Sequence, residues 1–315
     1  MADLSIYLFW AGILTSLAAV VAYVAYTLGV AVTSPRLAAQ TEAGSVTIPS
    51  GADPQREGLG RLATLFTVLT MLALGGSVAA RWAAVHYAPM SNLYEFTVSF
   101  AFTISVAYLI FEVHEGQRRF GVVALPIVAA MLGVATLFPD DILPLVPALQ
   151  NGLLLTIHVS VMMISYSVMT VAFAGAVIYL VQGGEGKQRF AALPSGSAAG
   201  DFAHRATVVG FPLLAAGIAL GAWWANAAWG RYWGWDPKET SALVVLLAMA
   251  AYFHARSGTG SVAGAPGIRK VIPTRVVRSW RPDPMWWLVA SFGLMLFTYF
   301  GVNLWIQGLH SYAGV

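Results

Sequence analysis

Tryptophan and histidine are the residue types in this sequence whose placement could support chemistry. The stretch WGRYWGWDPKET, residues 229–240, concentrates aromatic side chains between two long apolar runs. Together with the preceding residues it forms an aromatic segment, 223–240, that contains Trp223, Trp224, Trp229, Trp233 and Trp235. An interfacial aromatic belt is one interpretation, although belts use single residues scattered over many helix ends. The concentration here instead favours a surface for a large, flat, apolar ligand, which could approach the backbone at Gly230 and Gly234.

Six histidines are candidate metal ligands, because neutral imidazole is a common ligand in metalloproteins. His158 lies near the start of one long apolar run, and His310 follows another run. If both lie on the side of the aromatic segment, they could coordinate one metal beside it. Two polar residues at helix ends that bind nothing are the alternative.

The other four histidines fall in different settings. His254 lies fourteen residues after Thr240, about 21 Å farther along a helix. An ionisable group inside an apolar run is a functional candidate, and an interfacial histidine is the alternative. His86 is interpreted as part of a supporting segment. His114 and His204 are predicted to lie in solvated loops, without a role.

The elements that must position these residues are membrane spans. Hydrophobic residues make up 58% of the 315 residues and charged residues only 10%, well below the roughly 25% of a soluble domain. Runs long enough to cross a bilayer, about 20 residues, predict an all-α, polytopic protein with about eight transmembrane helices. These runs cover 5–31, 61–80, 95–112, 120–138, 152–182, 206–227, 240–255 and 285–306. The first run is too long, and lacks the basic start, for a signal peptide.

The distribution of basic residues predicts the orientation. Of the 17 Lys and Arg, only Arg81, Arg231 and Lys238 lie outside the segments 32–61, 113–120, 183–205 and 256–284. The positive-inside rule then places both termini and the aromatic segment on the extracytoplasmic side. The basic excess is interpreted as this orientation signal, and no nucleic-acid partner is expected. There is no cysteine, so any thiol in the chemistry belongs to a partner.

The segments between the spans contain no candidate soluble domain. Residues 32–60 and 183–204 are rich in Gly, Ser, Pro and Ala and are predicted to be flexible inner loops. The whole chain, 1–315, is therefore predicted to be a single helical membrane domain. Asp236, Pro237 and Glu239 are typical of a helix start, with an N-cap acceptor, a proline at the first position and a capping-box acid.

At these residues the sequence resembles a known family. WGRYWGWDPKET resembles the tryptophan-rich WWD motif of haem-handling membrane proteins, and its GWDPKET form is similar to the CcsA (ResC) family of System II cytochrome c biogenesis. HYAPMSNLYEF at 86–96, IHVSVMMISYS at 157–167, AYFHAR at 251–256 and GVNLWIQGLHSYA at 301–313 resemble CcsA segments in the same order. The resemblance covers about residues 60–313, a CcsA-like core, and leaves out the first helix, 5–31, and the loop 32–60.

The resemblance implies a haem-binding subunit of a cytochrome c synthase (cytochrome c haem lyase). The cofactor is haem b, iron protoporphyrin IX, which is bound transiently. His158 and His310 correspond to the external haem-iron ligands, beside the tryptophans of the aromatic segment and Asp236. His254 corresponds to a haem ligand inside the membrane, whose opposite ligand comes from a CcsB (ResB) subunit. We see no second histidine at that depth in this sequence.

The implied partners are the CcsB-like subunit, an apocytochrome c with a CxxCH segment and a thiol-reducing protein. The implied location is the bacterial cytoplasmic membrane, with the plastid thylakoid as the alternative. No catalytic side chain is expected beyond those that position haem. Three other functions remain open: CcmC- or CcmF-like haem handling, haem transport without ligase activity, and a non-catalytic membrane scaffold.

Overall fold

The fold is a bundle of long helices. A computed structural model describes residues 1–29, 54–150, 152–261 and 283–310, and within these ranges it has no strand. The helices are α1 (Ala2–Leu28), α2 (Pro54–Val85), α3 (Leu93–Glu115), α4 (Gly121–Ala135), α5 (Gly152–Gln182), α6 (Gly196–Trp229), α7 (Pro237–Ser261) and α8 (Met285–Trp305). Short 3₁₀ turns at Arg118–Phe120 and Pro147–Gln150 precede α4 and α5.

The prediction of about eight spans is confirmed, because eight segments of the described ranges are long and apolar enough to cross a membrane. The predicted lengths of two inner loops were wrong, because both loops are shorter than expected. Residues 54–60 form the start of α2, and 196–204 form the start of α6. Both stretches are rich in small or polar residues that do not register as apolar, yet a helix can extend past the hydrocarbon core. Most of the predicted loop 32–60 lies outside the described residues.

The remaining inner loop, 183–195, is shaped by one buried side chain. The amide nitrogen of Gln182 donates to the carbonyls of Phe190 at 2.9 Å and Pro194 at 2.6 Å, and its oxygen accepts from the Phe190 N–H at 2.8 Å. A buried amide with these partners fixes the path of the backbone. The loop is therefore hydrogen-bonded to the end of α5, in contrast to the flexible linker we expected.

Helix α5 lies at the centre of the bundle. It packs against α3, α4, α6 and α8, and it is the most buried of the eight spans. Helices α1 and α2 pair with each other at one side, while α7 packs mainly on α8 at the other. The face of α6 toward α5 carries glycines at 210, 217 and 221. Small residues at such spacing let helices approach closely where hydrophobic burial gives no driving force.

Charged groups inside the bundle are paired. Glu95, for which sequence alone gave no partner, accepts from Nε of Arg81 at 2.9 Å, and both side chains are almost fully buried. Arg81 also donates to the backbone carbonyl of Asp140 at 2.6 Å, which ties α2, and through Glu95 the start of α3, to the segment after α4. At the other end of α3, buried Glu112 accepts hydrogen bonds from Tyr23 and Thr64. These polar pairs connect α1, α2 and α3 across an apolar interior.

Helix α8 is not a regular α-helix throughout. Its α-helical part, Met285–Leu296, is followed by a π-helical turn, Phe297–Gly301, and a last α-turn, Val302–Trp305. The side-chain amide of Asn303 donates to the carbonyl of Tyr299 inside this turn at 2.7 Å. Single π-turns inside α-helices occur often at functional sites. This one supplies part of the wall of the cavity described next.

Candidate functional site

Most of the aromatic segment is helical. Trp223, Trp224 and Trp229 belong to the last turns of α6, and only residues 230–236 connect it to α7. Gly230 ends α6 in the left-handed conformation, with φ 73°, which glycine adopts without steric cost. At Gly234 a Cβ would lie 2.8 Å from Nε of Arg231. The helix end explains glycine at 230 and the nearby Arg231 side chain explains glycine at 234. These explanations differ from the close approach of a ligand, which we predicted from the sequence.

The start of α7 is capped as the sequence predicted. The backbone N–H of Lys238 donates to Oδ1 of Asp236 at 3.0 Å. The carboxylate of Glu239 accepts from the N–H groups of Asp236 at 3.1 Å and Gly234 at 2.8 Å. This reciprocal capping box satisfies backbone donors at the start of α7, and it fixes the position of the Asp236 side chain.

Asp236 also holds His310 in place. Its Oδ1 accepts from Nδ1 of His310 at 2.7 Å, and its Oδ2 accepts from the N–H of Leu309 at 2.6 Å. Burial by itself raises the pKa of Asp236, but the hydrogen bond from His310 and those from Lys238 and Leu309 outweigh it and lower the pKa to about 2. The carboxylate is therefore ionised. It keeps the His310 proton on Nδ1 and makes Nε2 the basic nitrogen.

His158 is held by the glycine face of α6. Its Nδ1 lies 2.9 Å from the carbonyl oxygen of Gly217, which can only accept, so Nδ1 carries the proton and Nε2 the lone pair. At Gly221 a Cβ would lie 2.6 Å from Cε1 of the same ring. Glycine at 221 is therefore what lets the imidazole lie flat against α6. We did not identify Gly217 and Gly221 from sequence, although their spacing of four residues is a recognisable helix-packing signal.

The indole of Trp224 packs against both imidazoles. The centroid of its ring is 6.3 Å from that of His158, with the planes only 7° apart, and 5.7 Å from that of His310. Trp229 packs edge-on against both Trp224, at 4.7 Å, and His310, at 4.8 Å. Helices α5, α6 and the segment after α8 thus meet at one aromatic cluster, even though they are distant in sequence.

Both imidazoles line a single cavity of about 160 Å³. Its walls come from α3, α5, α6, α7 and α8 and include Phe96, Met162, Trp224, Trp233 and Tyr299. Most of this surface is apolar or aromatic. Binding sites for organic ligands typically combine such walls with a few placed polar groups.

Three buried polar atoms in the cavity wall have no hydrogen-bond partner among the described residues. They are Nε1 of Trp224, the hydroxyl of Tyr166 and Oδ1 of Asn303. Leaving a buried polar group unpaired costs about 1–3 kcal/mol. All three atoms belong to residues that line this one cavity.

The five tryptophans do not share one environment. Trp224 and Trp233 line the cavity. Trp229 does not line it but packs against His310, which does. Trp223 is 60% exposed and Trp235 is 71% exposed, and neither lines the cavity. Trp235 adopts a left-handed conformation with φ 56°, which is uncommon for a bulky residue.

His254 lies elsewhere, on the exposed surface of α7. From the sequence, no second histidine was obvious at the depth of His254. His204 belongs to α6, where its Nδ1 lies 3.1 Å from the hydroxyl of Tyr252, and its ring is 6.0 Å from that of Phe253. The segment that contains His204 is helical, in contrast to the loop we predicted. Its half-buried side chain contacts α7 at Tyr252 and Phe253, two residues and one residue before His254.

The two remaining histidines do not line the cavity. His86 is exposed, with φ 61°, and its N–H donates to the carbonyl of Trp82 at the end of α2. The supporting segment that follows it does contribute Met90, Ser91 and Asn92 to the cavity wall. His114 is exposed in the last turn of α3, and not in a loop.

The structure therefore defines a polytopic helical membrane protein with an aromatic cavity that presents two oriented imidazoles. Comparison with known proteins agrees with this class. The chain belongs to the cytochrome c assembly protein family, whose model, "Cytochrome C assembly protein", matches residues 90–310.

Individual relatives support the same assignment. The chain is 33% identical over 310 residues to "Cytochrome c biogenesis protein CcsA" of Porphyra purpurea, covering 83% of this chain and 90% of the relative. It is 32% identical over 311 residues to the protein of that name from Synechococcus elongatus, with the same coverage. For the Guillardia theta protein the identity is 33% over 271 residues, 78% of this chain and 83% of the relative. The protein is thus an integral membrane protein with a role in cytochrome c biogenesis.

Proposed function

We propose that the protein is the haem-binding subunit of a System II cytochrome c synthase. It presents haem at the cavity between His158 and His310 for thioether attachment to apocytochrome c. The observation that carries this proposal is the placement of two imidazoles on one cavity, each with Nδ1 hydrogen-bonded and Nε2 left as the basic nitrogen. Metal-binding histidines characteristically donate their other N–H to a carbonyl or carboxylate, which orients the ring.

The remaining features of the cavity suit a porphyrin. Trp224 and Trp233 offer flat apolar walls, and such surfaces pack well on a planar aromatic ring. Tyr166 and Asn303 also line the cavity and add polar residues to its wall. A cavity of this composition would also exclude water, which favours iron in the reduced state by keeping the site apolar.

The reaction requires no covalent bond to a side chain of this protein. Each thiol of the CxxCH segment would add across a vinyl group: the S–H bond and the vinyl π bond break, one S–C bond and one C–H bond form, and nothing leaves. The two histidines would hold the ring while the peptide approaches, and the histidine of the CxxCH segment could then replace one of them on the iron. Holding the reactants in this geometry supplies rate acceleration through proximity.

The exposed position of His254 is consistent with an inner haem site shared with a CcsB-like subunit. Helix α7 leaves this side chain uncovered, as a ligand at a subunit interface requires. We propose that haem passes from this site to the cavity. His204, packed on the neighbouring turn of α7, gives a second candidate ligand within the chain, so that the partner's contribution needs a direct test.

The experiment is the absorption spectrum of the protein, purified with its CcsB-like subunit and reduced with dithionite. We compare the wild type with a variant in which His158→Ala and His310→Ala are combined, and with His86→Ala as the matched control. Sharp low-spin bands should weaken in the double variant, together with maturation of a reporter cytochrome c. The control should behave as the wild type because His86 lies outside the cavity.

The alternatives give different results. Haem bands and cytochrome maturation that are unchanged in the double variant would refute the cavity as the haem site and favour a scaffold. Release of free haem from proteoliposomes without apocytochrome would favour a transporter. Delivery of haem to a soluble chaperone in the absence of the CcsB-like subunit would favour CcmC- or CcmF-like handling.

We propose further that the aromatic segment faces the extracytoplasmic side, as the positive-inside rule predicts. The absence of cysteine makes this testable without altering the background. Tyr232→Cys, at a position that is 62% exposed, should react with a membrane-impermeant maleimide added to intact cells. Lys187→Cys, in the exposed loop after α5, should react only after permeabilisation, and the reverse pattern would invert the topology.

A further inference from the structure

One cavity residue has a charge that no contact with another described residue satisfies. Lys238 is the second residue of α7, and its side chain lines the cavity together with His158 and His310. Its backbone N–H caps onto Asp236. Within the part of the chain that the structure describes, however, its ammonium group makes no hydrogen bond and no ion pair.

The nearby carboxylates accept hydrogen bonds from other groups. Asp236 is the one whose charge acts on Lys238, but its two oxygens accept from Lys238 N–H, Leu309 N–H and His310. Glu239 accepts from two backbone N–H groups through one oxygen. Placing an ammonium group at a mainly apolar cavity without a protein acceptor is costly. A ligand that brings its own carboxylate would remove that cost.

Lys238 is also the sole cationic side chain among the described residues that line the cavity. We infer that Lys238 binds a carboxylate of the ligand, namely a propionate of haem. This inference rests on the proposed function, because it assumes that haem is the ligand. A porphyrin carries both propionates at one edge and its vinyl groups toward the other. Anchoring a propionate at the start of α7 therefore determines which edge of the ring remains accessible to the thiols of the apocytochrome.

The test compares haem with its dimethyl ester, in which the propionates are capped and uncharged. Both are titrated into the complex with the CcsB-like subunit and followed by their low-spin bands. The wild type should bind haem about 10- to 100-fold more tightly than the ester, as expected for one charge-assisted hydrogen bond. Lys238→Gln should bring this affinity ratio close to one, mainly by weakening the binding of haem. Lys238→Arg should retain most of the preference.

The controls separate this inference from the function on which it rests. Lys187→Gln removes a lysine from an exposed loop and should leave the ratio at the wild-type value. A Lys238→Gln variant that keeps the wild-type ratio, whatever its overall affinity, would overturn the inference while the histidine-ligated haem site stands. A wild type that shows no low-spin haem dependent on His158 and His310 would instead overturn the proposed function.

Discussion

Asp236→Asn is the substitution that should reveal most about the site. An asparagine has nearly the same shape but only one acceptor oxygen, and it has no charge. In the structure, Oδ1 accepts from His310 at 2.7 Å and from Lys238 N–H at 3.0 Å, while Oδ2 accepts from Leu309 N–H at 2.6 Å. Whichever way the amide is turned, its NH₂ group faces at least one of these donors.

The expected effect has two parts. Loss of a hydrogen bond to a charged group costs about 1.5–3 kcal/mol of stability. Loss of the partner that orients a ligating histidine typically weakens metal binding by about 10- to 100-fold. We therefore expect haem to bind the variant complex about 10- to 100-fold more weakly in a titration. The cause would be weaker coordination by His310, which Asp236 orients.

The pH dependence gives an independent measurement. The pKa of Asp236 is lowered from 3.8 to about 2 on folding. A carboxyl group with a lowered pKa stabilises the fold above its unfolded value and loses that contribution as the pH falls toward its folded value. The stability of the wild type should therefore decline between about pH 4 and pH 2, and the Asp236→Asn variant should lack this part of the decline.

Asp141→Asn is the matched control, because the side chain of Asp141 is exposed and lies outside the cavity. It should leave haem affinity and acid stability unchanged. If Asp236→Asn binds haem as tightly as the wild type while His310→Ala does not, Asp236 does not orient the ligand and the reasoning fails.

Two further predictions follow from contacts made by single atoms. Gly221→Ala places a Cβ 2.6 Å from the ring of His158 and should lower haem affinity at least about tenfold. Gly133→Ala is the control, because a Cβ there has no neighbour within 4 Å, and it should leave the affinity unchanged. Equal titration curves for the two variants would exclude the close contact. Arg81→Met breaks a buried ion pair and should lower the free energy of unfolding by about 3–5 kcal/mol. Adding Glu95→Gln should recover part of that loss in a denaturant titration in detergent, and no recovery would mean that the pair is not coupled.

The sequence was most informative where the physical signal is local. Eight apolar runs predicted eight spans, and Asp236, Pro237 and Glu239 predicted the start of α7, because capping depends on residues within one turn. The start of α6 was missed because residues 196–204 are small or polar, and hydropathy registers only the part of a helix that lies in hydrocarbon. His204 was assigned to a loop for the same reason.

What could not be predicted depends on contacts between distant helices. The partner of Glu95 is Arg81, on the preceding helix, and no local pattern selects it among the other polar residues nearby. The π-turn in α8 places Tyr299 and Asn303 in the cavity wall, although FTYFG reads as an ordinary helical stretch. The residues of the aromatic segment pointed to the site, but their division into cavity-lining and exposed tryptophans required the structure.

The contact between Asp236 and His310 also has a consequence in time. The two residues are 74 positions apart, and at a synthesis rate of 5–20 residues per second the second one follows the first by roughly 4–15 s. Helix α8 is synthesised in that interval, and it must be inserted before His310 can reach the cavity. Until then His158 and Trp224 can form only one wall of the pocket. Under the proposed function, tight capture of haem through both imidazoles would be postponed until the whole helical bundle has entered the membrane.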